Sequence, residues 1–162
     1  MKSLLLIRHA KSSPDFDIDD FDRPLNSRGE TEAAAMTQKL IKKDIKIDYF
    51  VSSPAKRALT TATFFAKGYG QKLKDITTVS SLYEPTTDAF YNVIENLDDS
   101  FTTVAVFSHN PTITEFANQL TSVKVDDLPT CAVFAVKADV KKWKEFLFAD
   151  KNCWLFDYPK SD

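Results

Sequence analysis

Three short runs constrain the fold more than any other feature of this chain. Residues 3–7, 49–51 and 103–107 are apolar at nearly every position, Ser3 and Thr103 only opening their runs, without the in–out alternation of a sheet that shows one face to water. Strands of that kind are covered on both faces. Helical periodicity supplies the cover. Ser27 and Glu30 have capping-box spacing and are followed by Ala33, Met36, Leu40 and Ile41 on one face. Ser53-Pro54 offers an N-cap ahead of a first-turn proline, with Ala58, Leu59, Ala62, Phe65 and Ala66 behind it. Asn110-Pro111 repeats the device before Ile113, Phe116, Ala117 and Leu120, and residues 87–97 present Phe90, Val93, Ile94 and Leu97 along another stripe. Strands alternating with helices predict an α/β three-layer sandwich, in which helices flank a mostly parallel central sheet. The last third is less regular: residues 132–136 and 154–157 read as strands, with a short helix around 140–144 between them. No linker, repeat or low-complexity tract divides the 162 residues, so a single domain over 1–162 is expected.

Charge and composition narrow the function. A formal net charge of -2 gives no general attraction to nucleic acid or to an anionic membrane surface. The first apolar run ends at Arg8, short of a signal-peptide core, and no later stretch is long enough to span a bilayer. A soluble, cytoplasmic protein with neither nucleic acid nor membrane as partner is the expectation. Cys131 and Cys153 show no metal-binding or redox spacing and read as small apolar residues.

The rare residues carry the chemistry. Of the 21 basic residues only four are arginine, Arg8, Arg23, Arg28 and Arg57, and all fall in the first 57 positions. A guanidinium is the forked donor that matches an oxyanion, whereas lysine is a flexible point charge. The two histidines, His9 and His109, each stand just beyond a strand-like run. Ligands of open parallel sheets bind beyond the carboxyl ends of the strands, so Arg8, His9, His109 and Arg57 are expected to converge there. The helix after Asn110 would turn backbone N–H groups and a favourable dipole to the same place. The pattern reads as a phosphate pocket made of side chains. Arg28 reads as a surface residue of a first helical turn. Asp15, Asp17, Asp19, Asp20 and Asp22 read as a solvated loop, with gating of the pocket or steering of a basic partner as the alternative.

Competing phosphate chemistries fare less well. Three glycines, at 29, 68 and 70, leave no Walker loop or dinucleotide fingerprint. Neither cysteine heads the arginine loop of a cysteine phosphatase. Two histidines do not furnish a dinuclear centre without a carboxylate-rich site, so metal-dependent and aspartyl-phosphate mechanisms rank behind, and no metal or cofactor is expected. What remains is histidine as nucleophile: a neutral imidazole nitrogen attacks phosphorus in line, forms a phosphohistidine, and is released by water. With an ordinary pKa near 6.5, an unprotonated fraction exists at neutrality. His9 is the better nucleophile because Arg8 ties it to the pocket. The arginines and a second, protonated histidine would neutralise the transferring group.

"LLLIRHAKS", "RPLNSRGETEA", "VSSPAKRALTTA" and "VFSHNPTITEFA" resemble, in order, four blocks of the histidine phosphatase superfamily (phosphoglycerate mutase-like), and specifically its short SixA-type phosphohistidine phosphatase branch. The resemblance implies that His9 is the phosphorylated nucleophile, that Arg8, Arg57 and His109 bind the phosphoryl group, and that Arg23 and Asn110 line the same pocket. It implies a metal-independent hydrolase without a cofactor. The superfamily's Arg-His-Gly motif has Ala10 in its third place here. Larger relatives use a glutamate or aspartate as general acid; Glu84, just before Pro85, is the first candidate and Asp88 the next. The expected substrate is phosphohistidine on a signalling or phosphorelay protein. The alternatives are a phosphatase of small phosphomonoesters and a non-catalytic relative that binds phosphate or a phosphoprotein.

Overall fold

The computed structural model describes residues 1–15 and 17–160. Six strands form one sheet in the order β3-β2-β4-β1-β5-β6. The strands are β1 (Lys2–Arg8), β2 (Tyr49–Ser52), β3 (Ile76–Thr78), β4 (Thr103–Ser108), β5 (Val133–Ala138) and β6 (Asn152–Asp157). Pairs β1–β4, β2–β4 and β2–β3 are parallel, whereas β5 runs antiparallel to both β1 and β6. The mostly parallel α/β sandwich expected from the sequence is therefore present, with β5 as the one reversed strand.

Consecutive apolar residues serve both faces, as strands buried on two sides require. Leu4, Leu6, Val104, Val106, Phe134 and Val136 belong to one core layer, together with Phe90, Ile94, Ile113, Phe116, Trp143 and Phe146. These come from α3 (Thr87–Glu95), α4 (Thr112–Leu120) and α5 (Trp143–Phe146). Leu5, Ile7, Ala105, Phe107, Val133 and Ala135 belong to the opposite layer, with Ala33, Met36, Leu40, Ala62, Phe65 and Ala66 from α1 (Ser27–Lys42) and α2 (Lys56–Gly68). Neighbouring residues of β1, all fully buried, thus fill two different cores. Each such side chain contributes on the order of 1.5–3 kcal/mol by leaving water.

Helix starts differ from the sequence reading in instructive ways. The cap of α1 is Asn26, not Ser27: its side chain accepts from the Gly29 amide at 2.8 Å. α2 begins at Lys56, two residues after Pro54, with Ala55 at the cap position and no side-chain cap. α4 begins at Thr112, with Pro111 at the cap position and no side-chain cap; the Asn110-Pro111 peptide is cis. α5 starts at Trp143, later than expected, where a fully buried indole donates to the Phe101 carbonyl at 3.0 Å. β3 has no sequence signature because two of its three residues are exposed at the sheet edge.

Candidate active site

Register brings the two histidines together. Strands β1 and β4 pair in parallel with Arg8 opposite Ser108, so the next residue of each, His9 and His109, leaves the sheet at the same level. The His9 amide donates to the Ser108 carbonyl at 3.2 Å, and the ring centroids lie 5.2 Å apart. On the other side of β4, Ser52 of β2 stands opposite Phe107, which places Ser53 beside His109. The Ser53 Oγ is 2.7 Å from His109 Nε2 and accepts from the Ala55 amide at 3.2 Å. The sequence marked Ser53 as a helix cap; its hydroxyl bridges a histidine and the turn before the helix instead.

The tautomer of His9 follows from its partners. Its Nδ1 is 2.7 Å from the Ala10 carbonyl, which only accepts, so the neutral ring carries its proton on Nδ1 and leaves Nε2 unprotonated, with a lone pair that can accept. Arg57 Nε donates to that Nε2 at 3.4 Å. The Ala10 position is fixed in turn by Thr61, which accepts from the Ala10 amide at 2.9 Å and donates to the Arg57 carbonyl at 2.7 Å. One turn of α2 therefore holds both the arginine and the loop that orients the imidazole.

Burial sets the protonation state. His9 and His109 are only 7% and 5% exposed. Burial, followed by His109 and the two arginines, pulls the His9 pKa down to about 3, against a raising contribution from the Ala10 carbonyl. Burial and then Arg57 pull His109 down to about 4. Both rings are therefore held neutral at pH 7 by burial and by the neighbouring cations.

Each pocket guanidinium has a carboxylate partner. Arg57, buried, donates from Nη1 to the Asp20 carbonyl at 2.7 Å and from Nη2 to Asp20 Oδ2 at 3.1 Å. Tyr83 donates to the same Oδ2 at 2.7 Å, and Arg23 Nη1 lies 3.6 Å from Oδ1. Asp20 is held ionised by the Tyr83 hydrogen bond first and by Arg57 and Arg23 after it. The Tyr83 hydroxyl is pushed up to about 12, mainly by that same bond. Arg8 donates to the Leu128 carbonyl at 2.9 Å and pairs with Asp127 at 3.9 Å, and Asp127 also accepts from the Asn110 amide at 2.6 Å. The Asn110 Oδ1 accepts from Thr114 at 2.6 Å, so this side chain ties down a loop as well as facing the pocket. Arg8 Nε and His109 Nδ1 are buried without a hydrogen-bond partner among the described residues.

A cavity of about 390 Å³ opens beside this cluster, lined in part by Asp20, Arg57, Tyr83, Glu84, His109 and Asn110; His9, Arg8 and Arg23 are not among its lining residues, and His9 lies behind Arg57 and His109. Glu84 sits exposed on its rim in a turn with φ 49°. Arg23 reaches the cluster through Asp20 and also donates to Ser12 Oγ at 2.9 Å. Asp88, exposed in the first turn of α3, is not among the lining residues. Arg28 pairs with Glu32 on the surface of α1. Another cavity, of about 430 Å³ beside Tyr49, Val93 and Phe101, has no cationic lining. Among the described residues no group of three or more His, Cys, Asp or Glu is placed to hold a metal ion, and no helix is long and apolar enough to cross a membrane.

Comparison with known proteins agrees with this fold. A chain of Agrobacterium tumefaciens assigned as the phosphohistidine phosphatase SixA superposes with a TM-score of 0.81 at 20% identity, covering 98% of both chains. The protein histidine phosphatase SixA in complex with tungstate gives a TM-score of 0.80 at 19% identity, covering 97% of each. At these identities the likeness is one of fold. An uncharacterized chloroplastic protein of Arabidopsis thaliana is 28% identical over 166 residues, spanning 96% of this chain and 76% of that protein. The family model of the histidine phosphatase superfamily, branch 1, matches residues 4–90, which include Arg8, His9, Asp20, Arg57 and Tyr83: the chain belongs to the histidine phosphatase superfamily.

Proposed function

We propose that this protein is a phosphatase that works through a phosphohistidine on His9, and that its substrate is phosphohistidine carried by another protein. In the first step the Nε2 lone pair forms a bond to phosphorus while the bond from phosphorus to the leaving nitrogen breaks. That nitrogen takes a proton, for which Glu84, in the cavity lining, is the candidate donor. In the second step water attacks phosphorus, the His9 nitrogen–phosphorus bond breaks, and phosphate leaves. Arg8, Arg57 and His109 supply donors to the non-bridging oxygens, where negative charge concentrates. An incoming dianion offsets the burial and the cations that keep His109 neutral, so His109 takes up a proton as the pocket fills.

One observation carries the reading: His9 is pinned by the Ala10 carbonyl so that a proton-free Nε2 faces Arg57. Family membership and the fold shared with SixA structures support phosphoryl chemistry at this pocket. The choice of a protein substrate is supported by Phe21, 40% exposed, which meets the ring of the pocket residue Tyr83 in an edge-on contact. An exposed apolar group there suits a protein face better than a small hydrophilic phosphomonoester.

Rapid-quench trapping with a radiolabelled phosphohistidine peptide tests it. Acid-labile, base-stable label is expected on wild type and not on His9→Ala. Undiminished turnover in His9→Ala rules out this nucleophile, and phosphate binding without label or turnover in wild type makes the protein a binding module.

A further inference from the structure

We propose that Asp20 is a positioning residue for Arg57, an internal anion that aims the guanidinium at His9 and limits how tightly the pocket holds phosphate. The inference rests on the phosphatase reading and extends it to a residue that the sequence assigned to a solvated loop.

A guanidinium has five N–H donors. Three of those of Arg57 are engaged within the protein: Nε with His9 Nε2, Nη1 with the Asp20 carbonyl and Nη2 with the Asp20 carboxylate. A grip on both terminal nitrogens fixes the plane of the group, which keeps the Nε edge on His9. Two N–H groups remain for phosphoryl oxygens. Asp20 is itself anchored at both of its carboxylate oxygens, by Tyr83 and by Arg23. The Tyr83 ring carries Phe21 on one edge and meets the His109 ring at 5.7 Å. The turn Asp20–Asp22 is thus fastened across the pocket, from α2 to the segment before α3.

A phosphoryl dianion and the Asp20 carboxylate then share one arginine. Their repulsion weakens binding of substrate and product phosphate alike, while the pre-aimed guanidinium loses no freedom on binding. Removing the charge strengthens anion binding; removing only a loop tether does not. This distinction separates the proposal from a purely structural role for Asp20.

Titration calorimetry with inorganic tungstate and phosphate, on the intact protein, reads the difference. Asp20→Asn is expected to bind both anions about tenfold more tightly and to show lower KM together with lower kcat on a phosphohistidine peptide, as product release slows. Asp22→Asn, an equal charge change at an exposed neighbour with no hydrogen bond or ion pair to Arg57 among the described residues, is expected to leave the Kd within about twofold. Tyr83→Phe, which cuts the tether and keeps the charge, is expected not to tighten binding. A folded Asp20→Asn protein with unchanged or weaker anion binding overturns the role of Asp20 alone, as does equal tightening in Asp22→Asn or in Tyr83→Phe. Wild type that binds neither anion overturns the phosphate-pocket reading itself, and this inference with it.

Discussion

The Nδ1 of His9 lies 2.7 Å from the carbonyl oxygen of Ala10, and this contact decides which nitrogen of the ring is free. Because the chain has only two histidines, imidazole titration by NMR assigns each with one variant. Midpoints of about 3 for His9 and about 4 for His109 are expected in the phosphate-free protein, with the His9 proton on Nδ1. Saturating tungstate is expected to raise the His109 midpoint. A His9 midpoint near the ordinary 6.5 is incompatible with the buried, cation-flanked ring described above.

The same burial makes stability depend on pH in a defined direction. The folded pKa values of about 3 and 4 lie below the unfolded value of about 6.5. Between these limits the unfolded chain binds protons that the native chain does not, so stability is full above about 6.5 and falls as pH drops toward 4. Each histidine contributes at most about 1.4 kcal/mol per pH unit in that window. Urea denaturation at pH 7, 6 and 5 is expected to show a falling unfolding free energy, with a shallower slope in His109→Ala. A profile that is flat from pH 7 to 5 contradicts neutral burial of the pair.

Strands β1, β2 and β4 were legible because burial on both faces forces consecutive apolar residues, a pattern a sequence shows directly. His9, His109 and Arg57 were legible because register and helix starts carry them to one end of the sheet. What escaped reading depends on contacts between distant segments. Asp20 meets Arg57 across 37 positions, and a run of aspartates looks solvated until the partner of one member is seen. Asp127 escaped for the same reason, as the carboxylate shared by Arg8 and Asn110. The neutrality of His109 follows from burial, which no motif encodes, and Ser53 was misread because a hydroxyl before Pro54 is an ordinary cap signal.

That misreading makes Ser53 a useful probe. Ser53→Ala removes the partner of His109 Nε2 and leaves an imidazole whose Nδ1 already lacks one among the described residues. An unsatisfied buried polar group costs about 1–3 kcal/mol, so a loss of that size is expected in chemical denaturation. The freed ring is also expected to reduce kcat/KM about tenfold, whereas Ser53→Thr, which keeps the hydroxyl, recovers most of it. An equal loss of stability with intact kcat/KM reduces Ser53 to a packing residue.

Gly29 tests how far the orienting loop depends on helix α1. A Cβ at this position overlaps the Lys11 carbonyl oxygen, with the carbonyl carbon at 2.9 Å. The obstacle is backbone, so the loop itself must move. The same Lys11 oxygen accepts from the Asn26 amide at 3.0 Å, and Lys11 directly follows the Ala10 whose carbonyl holds His9. Gly29→Ala is therefore expected to cost about 1–3 kcal/mol and to lower kcat under conditions where the variant is fully folded, because the tautomer-fixing contact is displaced. Gly68→Ala supplies the contrast: its Cβ meets the Thr37 methyl, on the far end of α2 from Arg57, so any loss of stability there is expected to leave kcat alone. Circular dichroism melts paired with single-turnover rates separate the two. If Gly29→Ala loses stability yet forms phosphohistidine at the wild-type rate, the loop does not orient His9 through Lys11 and Ala10, and the glycine serves packing only.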